Sequence, residues 1–269
     1  MAKPDDSDRL MENMNCRTDR LTLFFPAYND AGSIRDVVLS HYAEACRFAK
    51  EVDVVVVNDG SRDGTADVLE ALAREMPALR VVHHEVNRGY GAALISGFMH
   101  CRHELIFYTD GDGQYSASDL SALFAALEPS TDVVNGYKTH RADGWVRAFT
   151  GWLYRTVTRV LFGIRIRDID CDYRLIRRRA MEGLVLTSQT GVICTEMVYR
   201  WQRRGCRIAE VPVTHHPRRH GRSQFFTFRH LSNAVVGLIA LWLKVRPGWR
   251  FGRGRSAQQQ HHGEAEGKG

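Results

Sequence analysis

The run Val54 to Val57, four valines passing without a break into Asn58-Asp59-Gly60, constrains this chain more than any other stretch. A strand apolar on both of its alternating faces must be covered on both sides, as in a parallel sheet lying between two layers of helices. The same arrangement recurs. Leu105 to Thr109 runs into Asp110-Gly111-Asp112-Gly113-Gln114, and Leu21 to Phe25 ends at Pro26-Ala27-Tyr28-Asn29-Asp30. Acids therefore collect at the carboxyl ends of strands, the side on which open α/β sheets hold their ligands.

Periodicity fills in the rest. Strands are expected at Leu21–Phe25, Val52–Val57, Arg80–His83, Leu105–Thr109 and over 131–136. Helices are expected from Ser33 or Asn29, either of which can cap, to about Lys50, and over Ala66–Glu75, Ala92–Cys101, Trp145–Phe162 and Met197–Arg204. Strands alternating with helices of this length call for an α/β fold with a doubly wound, mostly parallel sheet and right-handed crossovers. The 269 residues, 44% of them hydrophobic, can bury a full core. Six scattered cysteines without a Cys-x-x-Cys pair argue against a zinc site and a disulfide framework and fit a reducing, cytoplasmic setting. Residues 1–20 read as a loose tail rather than a secretory signal.

Charge is divided along the chain: Lys and Arg against Asp and Glu number 12 to 22 in residues 1–136 and 24 to 7 in residues 137–255. A basic region of this kind meets something anionic. No zinc-finger, ribonucleoprotein or basic-zipper pattern is present, so no nucleic acid is expected. Gly89-Tyr90-Gly91 lacks the third glycine of the dinucleotide fingerprint and there is no P-loop, which excludes two common phosphate sites. Asp110 and Asp112, two residues apart in a glycine turn, suit one hard cation. Mg²⁺ is typically held by one or two carboxylates together with substrate phosphates, so the pair points to a metal–diphosphate complex.

Pro26-Ala-Tyr-Asn-Asp30, Val57-Asn-Asp59-Gly-Ser-Arg-Asp63-Gly-Thr65, Asn87-Arg-Gly-Tyr-Gly91 and Asp110-Gly-Asp112-Gly-Gln114 follow one another in a specific order. Asp168-Ile-Asp-Cys-Asp-Tyr-Arg174, Glu196, Glu210-Val-Pro-Val213 and Arg218-Arg-His-Gly-Arg-Ser223 continue it. The series resembles the inverting family 2 glycosyltransferases of GT-A fold, over roughly residues 21–230. Its second half is most similar to the branch containing dolichol-phosphate mannose synthase and bacterial polyprenyl-phosphate glycosyltransferases. The resemblance implies a nucleotide-sugar donor held by Pro26, Tyr28, Asn29, Asp30, Asp59, Asn87, Gly89, Asp110, Gly111, Asp112 and Gln114, with Mg²⁺ or Mn²⁺ on Asp110 and Asp112. It places Asp59 near the base and ribose, while the residues themselves also allow Asp59 to cap the helix at Gly64-Thr65. Arg147, Arg174, Arg218, Arg222 and Ser223 are implied as phosphate or acceptor contacts. Asp168, Glu196, Arg218 and Arg222 are the implied catalytic set.

The chain departs from the family pattern at Asp30, where Glu is more frequent, at Gly111 (Ala), at Cys171-Asp172-Tyr173 (Gly and Phe) and at Gln224 (Lys). The last two lie on the acceptor side and leave the acceptor open between a polyprenyl phosphate and a hydroxyl. A hydroxyl needs a carboxylate to take its proton, and a phosphate does not. Glu196 can fill that role or can complement a helix dipole. Arg177-Arg178-Arg179 is expected to be a solvated helix face, and His215-His216 to end a strand.

Residues 231–243 lack charge and are flanked by Arg229, Lys244, Arg246 and Arg250. Thirteen residues are too few to span a bilayer. They suit a helix over 231–250 in an anionic membrane interface, with Trp242 and Trp249 at headgroup depth, or one packed on the domain or in a homo-oligomer. Residues 251–269 are expected to be a disordered tail. The expected location is cytoplasmic, with the inner face of the cell membrane as a peripheral alternative. A catalytically silent binding module on the same fold is the competing function from a different class.

Overall fold

The computed structural model describes residues 18–139, 145–218 and 228–245, with side chains described except at 145–153 and 228–234. In order, the chain forms β1 (Thr18–Ala27), α1 (Ile34–Ala45), β2 (Ala49–Asn58), α2 (Thr65–Glu75), β3 (Leu79–His83), α3 (Tyr90–His100) and β4 (Leu105–Thr109). A 3-10 turn (Ala117–Asp119) leads to α4 (Leu120–Ala125), β5 (Val133–Lys138), α5 (Trp145–Phe162), β6 (Tyr173–Arg177) and α6 (Arg178–Met181). The described chain ends with α7 (Val192–Arg203), β7 (Ile208–Val213) and α8 (Phe228–Val245).

The seven strands form one sheet in the order β3-β2-β1-β4-β6-β5-β7. β1 is parallel to both β2 and β4, and β2 to β3. β6 is antiparallel to β4 and β5, whereas β5 and β7 are parallel. The five strands expected by range are present, the strand expected to end at His215-His216 is β7 and stops at Val213, and β6 is an addition. Its sequence, Tyr-Arg-Leu-Ile-Arg, is interrupted by charge and so gave no apolar run.

Alternation along the strands explains their two-sided hydrophobicity. Leu21, Leu23, Phe25, Val54, Val56, Leu105 and Phe107 pack with α1, α2 and α4 on one face. Phe24, Val55, Val57, Ile106 and Tyr108 pack with α3, α5, α7 and α8 on the other. Gly97 brings α3 directly onto the sheet, since a Cβ there would lie 2.0 Å from ring carbons of Phe24.

Arg177, Arg178 and Arg179 form a solvated face only in part: Arg179 is exposed and the other two half-buried, and all three are tied to neighbouring loops. Arg177 Nε donates to Thr131 O, Arg178 NH2 and Nε to Cys101 O and His103 O, and Arg179 Nε to Asp132 Oδ1. The run fastens the end of β6 to the loops beside it. His215 forms a bridge with Tyr115 beyond the end of β7. In α8, Leu238 and Leu241 are buried in the second core, while Val235, Val236, Ile239 and Leu243 are exposed. Among the described residues no helix is long and apolar enough to cross a membrane.

Candidate active site

The carboxyl ends of β1, β2 and β4 bring three loops together. After β1, Asn29 takes a left-handed conformation (φ 57), which its own polar side chain helps to hold. Its Oδ1 accepts from Arg62 N at 2.8 Å, and its amide donates to Ser61 Oγ at 3.0 Å. The Asp30 amide donates to Thr65 Oγ1. Neither Asn29 nor Ser33 caps α1 through its side chain. Asn29 ties the β1 and β2 loops together, and Ser33 Oγ donates to Gly111 O at 2.9 Å, tying β1 to β4. Gly111 is closely fitted where it stands. A Cβ would lie 2.8 Å from Ile34 Cδ1 and 3.1 Å from Pro26 O, and the Gly111 amide donates to that same oxygen.

Asp110 and Asp112 face different partners. Tyr90 Oη donates to Asp110 Oδ1 at 2.8 Å. Asp112, 7% exposed, accepts from its neighbour Gln114 N at 3.0 Å and from Arg218 NH2 at 2.6 Å. Burial, then Asp172, then Asp112 push the Asp110 carboxyl well above the usual range. Burial pushes Asp30 up to about 6, and Asp112 adds to the rise. Four acids thus share one locality, with Arg218 as a direct counter-ion. Like charges so placed call for further positive charge. Among the described residues no group of three or more metal-ligating side chains occurs, so a cation here would take Asp110 and Asp112 and complete its shell from substrate oxygens. The donor set, two hard carboxylates, fits Mg²⁺ or Mn²⁺.

Several expected ligands have other partners. Asp59, 3% exposed, does not cap α2, whose N-cap is Gly64 without a side-chain bond; Asp63 holds the turn before it, accepting from Thr65 N and Oγ1. Instead Asp59 accepts from Arg88 N and Gly89 N, both at 2.9 Å, and sits 2.6 Å from His84 Nδ1. Its carboxylate therefore holds the turn before α3. Gln114 Nε2 donates to His216 O, and His216 N to Gln114 O, so Gln114 fixes the segment that delivers Arg218. Asn87 is exposed beside Gly60, where a Cβ would lie 2.4 Å from the Asn87 amide.

On the acceptor side the corrections are larger. Arg174 is fully buried and cannot meet a phosphate. Nε donates to Asn135 Oδ1 at 2.6 Å, NH1 to Tyr108 Oη at 2.7 Å and NH2 to Ile169 O. Tyr108 in turn donates to Asp172 at 2.9 Å. Glu196 does not begin a helix; it lies within α7, is fully buried, and both its oxygens are taken. Oε2 accepts from Thr187 N and Ser188 N, and Oε1 from Thr187 Oγ1 and Arg200. Burial raises its pKa, but these donors outweigh that and hold it below the ordinary value. Asp168, 4% exposed, accepts from the Lys138 amide at the rim of β5. Both acids are buried and hydrogen-bonded within the chain. Arg147 lies on α5 with its side chain outside the described residues, as do Arg222 and Ser223 altogether.

The sequence had singled out neither Tyr90 nor Asp172 as a site residue. Both stood inside quoted motifs, Tyr90 between two glycines and Asp172 where glycine is common, and that placement was the available signal.

Residues 22–185 match the model of the family described as Glycosyl transferase family 2. The chain belongs to that family. Undecaprenyl-phosphate 4-deoxy-4-formamido-L-arabinose transferase of Shewanella sediminis is 29% identical over 227 residues, which are 84% of this chain and 67% of the relative. Dodecaprenyl-phosphate galacturonate synthase of Rhizobium johnstonii is 28% identical over 241 residues, 86% of this chain and 70% of the relative. The chain spans about two thirds of the length of these relatives. Among solved structures, glucosyl-3-phosphoglycerate synthase of Mycobacterium tuberculosis, in complex with Mn²⁺, UDP and glucosyl-3-phosphoglycerate, superposes with TM-score 0.66 at 16% identity. The match covers 89% of this chain and 85% of that one. The same enzyme was also crystallised with Mg²⁺ and UDP. At that identity the likeness establishes the GT-A fold, and divalent-metal use is a property of those neighbours.

Proposed function

We propose that this chain transfers a sugar, with inversion, from a nucleotide diphosphate to a polyprenyl phosphate, using Mg²⁺ or Mn²⁺ at Asp110 and Asp112. The observation that carries the choice of acceptor is the state of Glu196 and Asp168. Both carboxylates expected to serve as a base are buried and hydrogen-bonded, which disfavours a hydroxyl acceptor that would rely on either of them. A phosphate acceptor brings its own nucleophilic oxyanion. The names of the relatives, transferases acting with undecaprenyl and dodecaprenyl phosphate, point the same way.

In this reading an acceptor phosphate oxygen attacks the anomeric carbon while the bond to the nucleotide's β-phosphate oxygen breaks. Negative charge then grows on the leaving diphosphate. A bound divalent cation would supply the main counter-charge there. Arg218, placed against Asp112 by the Gln114–His216 pair, offers a guanidinium fork for phosphate oxygens at the same place. The exposed stripe Val235, Val236, Ile239 and Leu243 on α8 supports approach to a membrane surface where a polyprenyl chain would lie.

A donor screen with and without polyprenyl phosphate in anionic vesicles tests the proposal. Nucleoside diphosphate release that requires both the lipid and Mn²⁺ is expected. Release driven instead by water-soluble hydroxyl acceptors would overturn the choice of acceptor. Vesicle co-sedimentation that weakens at high salt is expected for an interfacial α8.

A further inference from the structure

We propose that Tyr90 is the positioning residue for Asp110, and that the buried acids Asp59 and Glu196 clamp from opposite sides the turn that carries Tyr90. This rests on the reading of Asp110 and Asp112 as the metal-holding pair. It gives both acids a task other than touching donor or acceptor.

Tyr90 is the first residue of α3, and among the described residues it supplies the hydrogen bond to Asp110. Asp30, Asp112 and Asp172, the acids around Asp110, can only accept when ionised. The turn before Tyr90 does not hold itself: Gly89 stands at φ 94, and no side chain caps the helix. One clamp is Asp59, whose two oxygens take the amides of Arg88 and Gly89. The other comes from across the site. The Gly91 amide donates to Gln189 O at 2.9 Å, and the segment just before Gln189 is held by Glu196 through Thr187 N at 3.0 Å and Ser188 N at 2.8 Å.

The two backbones are in direct contact. A Cβ at Gly89 would lie 2.6 Å from Gln189 O, and one at Gly91 2.2 Å from Ser188 O. No compressible side chain separates them, so movement of residues 187–189 passes to Tyr90. Charge-assisted bonds to backbone amides are strong, and a buried carboxylate deprived of them is costly. Glu196 therefore holds 187–189 firmly. Hydrogen-bond partners of a ligating carboxylate orient it, and losing one typically lowers metal affinity about 10–100-fold.

The test uses the full chain with UDP, following free Mn²⁺ by electron paramagnetic resonance, together with thermal unfolding and amide exchange of the metal-free protein. Tyr90→Phe is expected to keep the wild-type Tm and weaken Mn²⁺ binding about tenfold or more. Glu196→Gln is expected to speed exchange at 187–191 and at 89–91 before any metal is added, and to weaken Mn²⁺ binding in step. Where Glu196→Gln fails to fold, Gly91→Ala forces the same two segments apart and should weaken Mn²⁺ binding likewise. Wild-type Mn²⁺ affinity in Tyr90→Phe or in Gly91→Ala would overturn the proposal. So would a Glu196→Gln protein with unchanged exchange that binds Mn²⁺ but no longer transfers, which would return Glu196 to the role of base. A wild-type protein that binds no Mn²⁺ overturns the metal reading as well. Wild-type binding that is lost in Asp112→Asn, beside an unaffected Tyr90→Phe, sinks this inference alone.

Discussion

The two halves of the sheet handle charge in opposite ways. Around β3, β2, β1 and β4 the acids sit at strand ends, and donors from neighbouring loops hold them in place. Around β6, β5 and β7 the arginines turn inward or lie along backbone carbonyls: Arg174 on Ile169 O, Arg177 on Thr131 O, Arg178 on Cys101 O and Arg204 on Glu182 O. The basic surplus of residues 137–255 is therefore partly spent on joining chain segments, and less of it faces an anionic partner than a count of residues suggests. Asp30, Asp110 and Asp112 of the first half stand together at one place, where Arg218 reaches Asp112 from the second half.

The strongest way to break this contrast is Arg174→Met. It leaves Asn135 Oδ1 and Ile169 O buried without their donor, so a loss of about 3 kcal/mol or more is expected. That corresponds to a fall in Tm of about 6–12 °C for a domain of this size. Wild-type stability with weakened acceptor use would instead restore Arg174 as a phosphate contact. Next in size is Asp112→Asn, expected to lower the affinity of a nucleotide diphosphate with Mn²⁺ by about a hundredfold, as a chelator should. Equal calorimetric affinity with and without chelator would remove the metal from the acidic half.

Arg218→Ala sharpens the link between the halves. Loss of one charge-assisted contact should weaken polyprenyl-phosphate use by about 1.5–3 kcal/mol, read from steady-state rates at several lipid concentrations. An unchanged rate would confine Arg218 to pairing with Asp112. The smallest effect concerns Asp30. Burial pushes its carboxyl from 3.8 up to about 6, against the pull of the Tyr28 amide. Between those values the folded chain keeps a proton that the unfolded chain has released, so this contribution to stability is full below about pH 4 and is lost as the pH rises through 6. The urea midpoint of Asp30→Asn relative to wild type should therefore climb between pH 4 and pH 7; a flat difference would contradict it.

Much of the fold was legible from periodicity alone. β4 and α5 have the bounds that their sequences imply, Leu105–Thr109 and Trp145–Phe162, because an apolar strand and a long amphipathic helix each declare themselves locally. β6 did not, since its burial depends on Asn135 and Tyr108, residues distant in sequence that accept from Arg174. The site divides similarly. Asp110, Asp112 and Gly111 were readable because a strand end and its turn are local. The tasks of Asp59, Glu196 and Arg174 were not, because a charged letter does not say whether its partner is a ligand or a backbone group in another loop.

The antiparallel strand β6 also has a consequence for how this protein is made. β1, β2, β3 and β4 leave the ribosome as a consecutive series of βα units that can pair as they emerge. The free edge of β4 must then wait for β6, which is hydrogen-bonded to it along Leu105–Thr109. At about 5–20 residues per second of synthesis, that edge stays open for roughly several seconds. An apolar strand with unpaired backbone groups is a template for wrong partners. The nascent chain is thus most prone to aggregate after Thr109 has emerged and before Arg177 has followed.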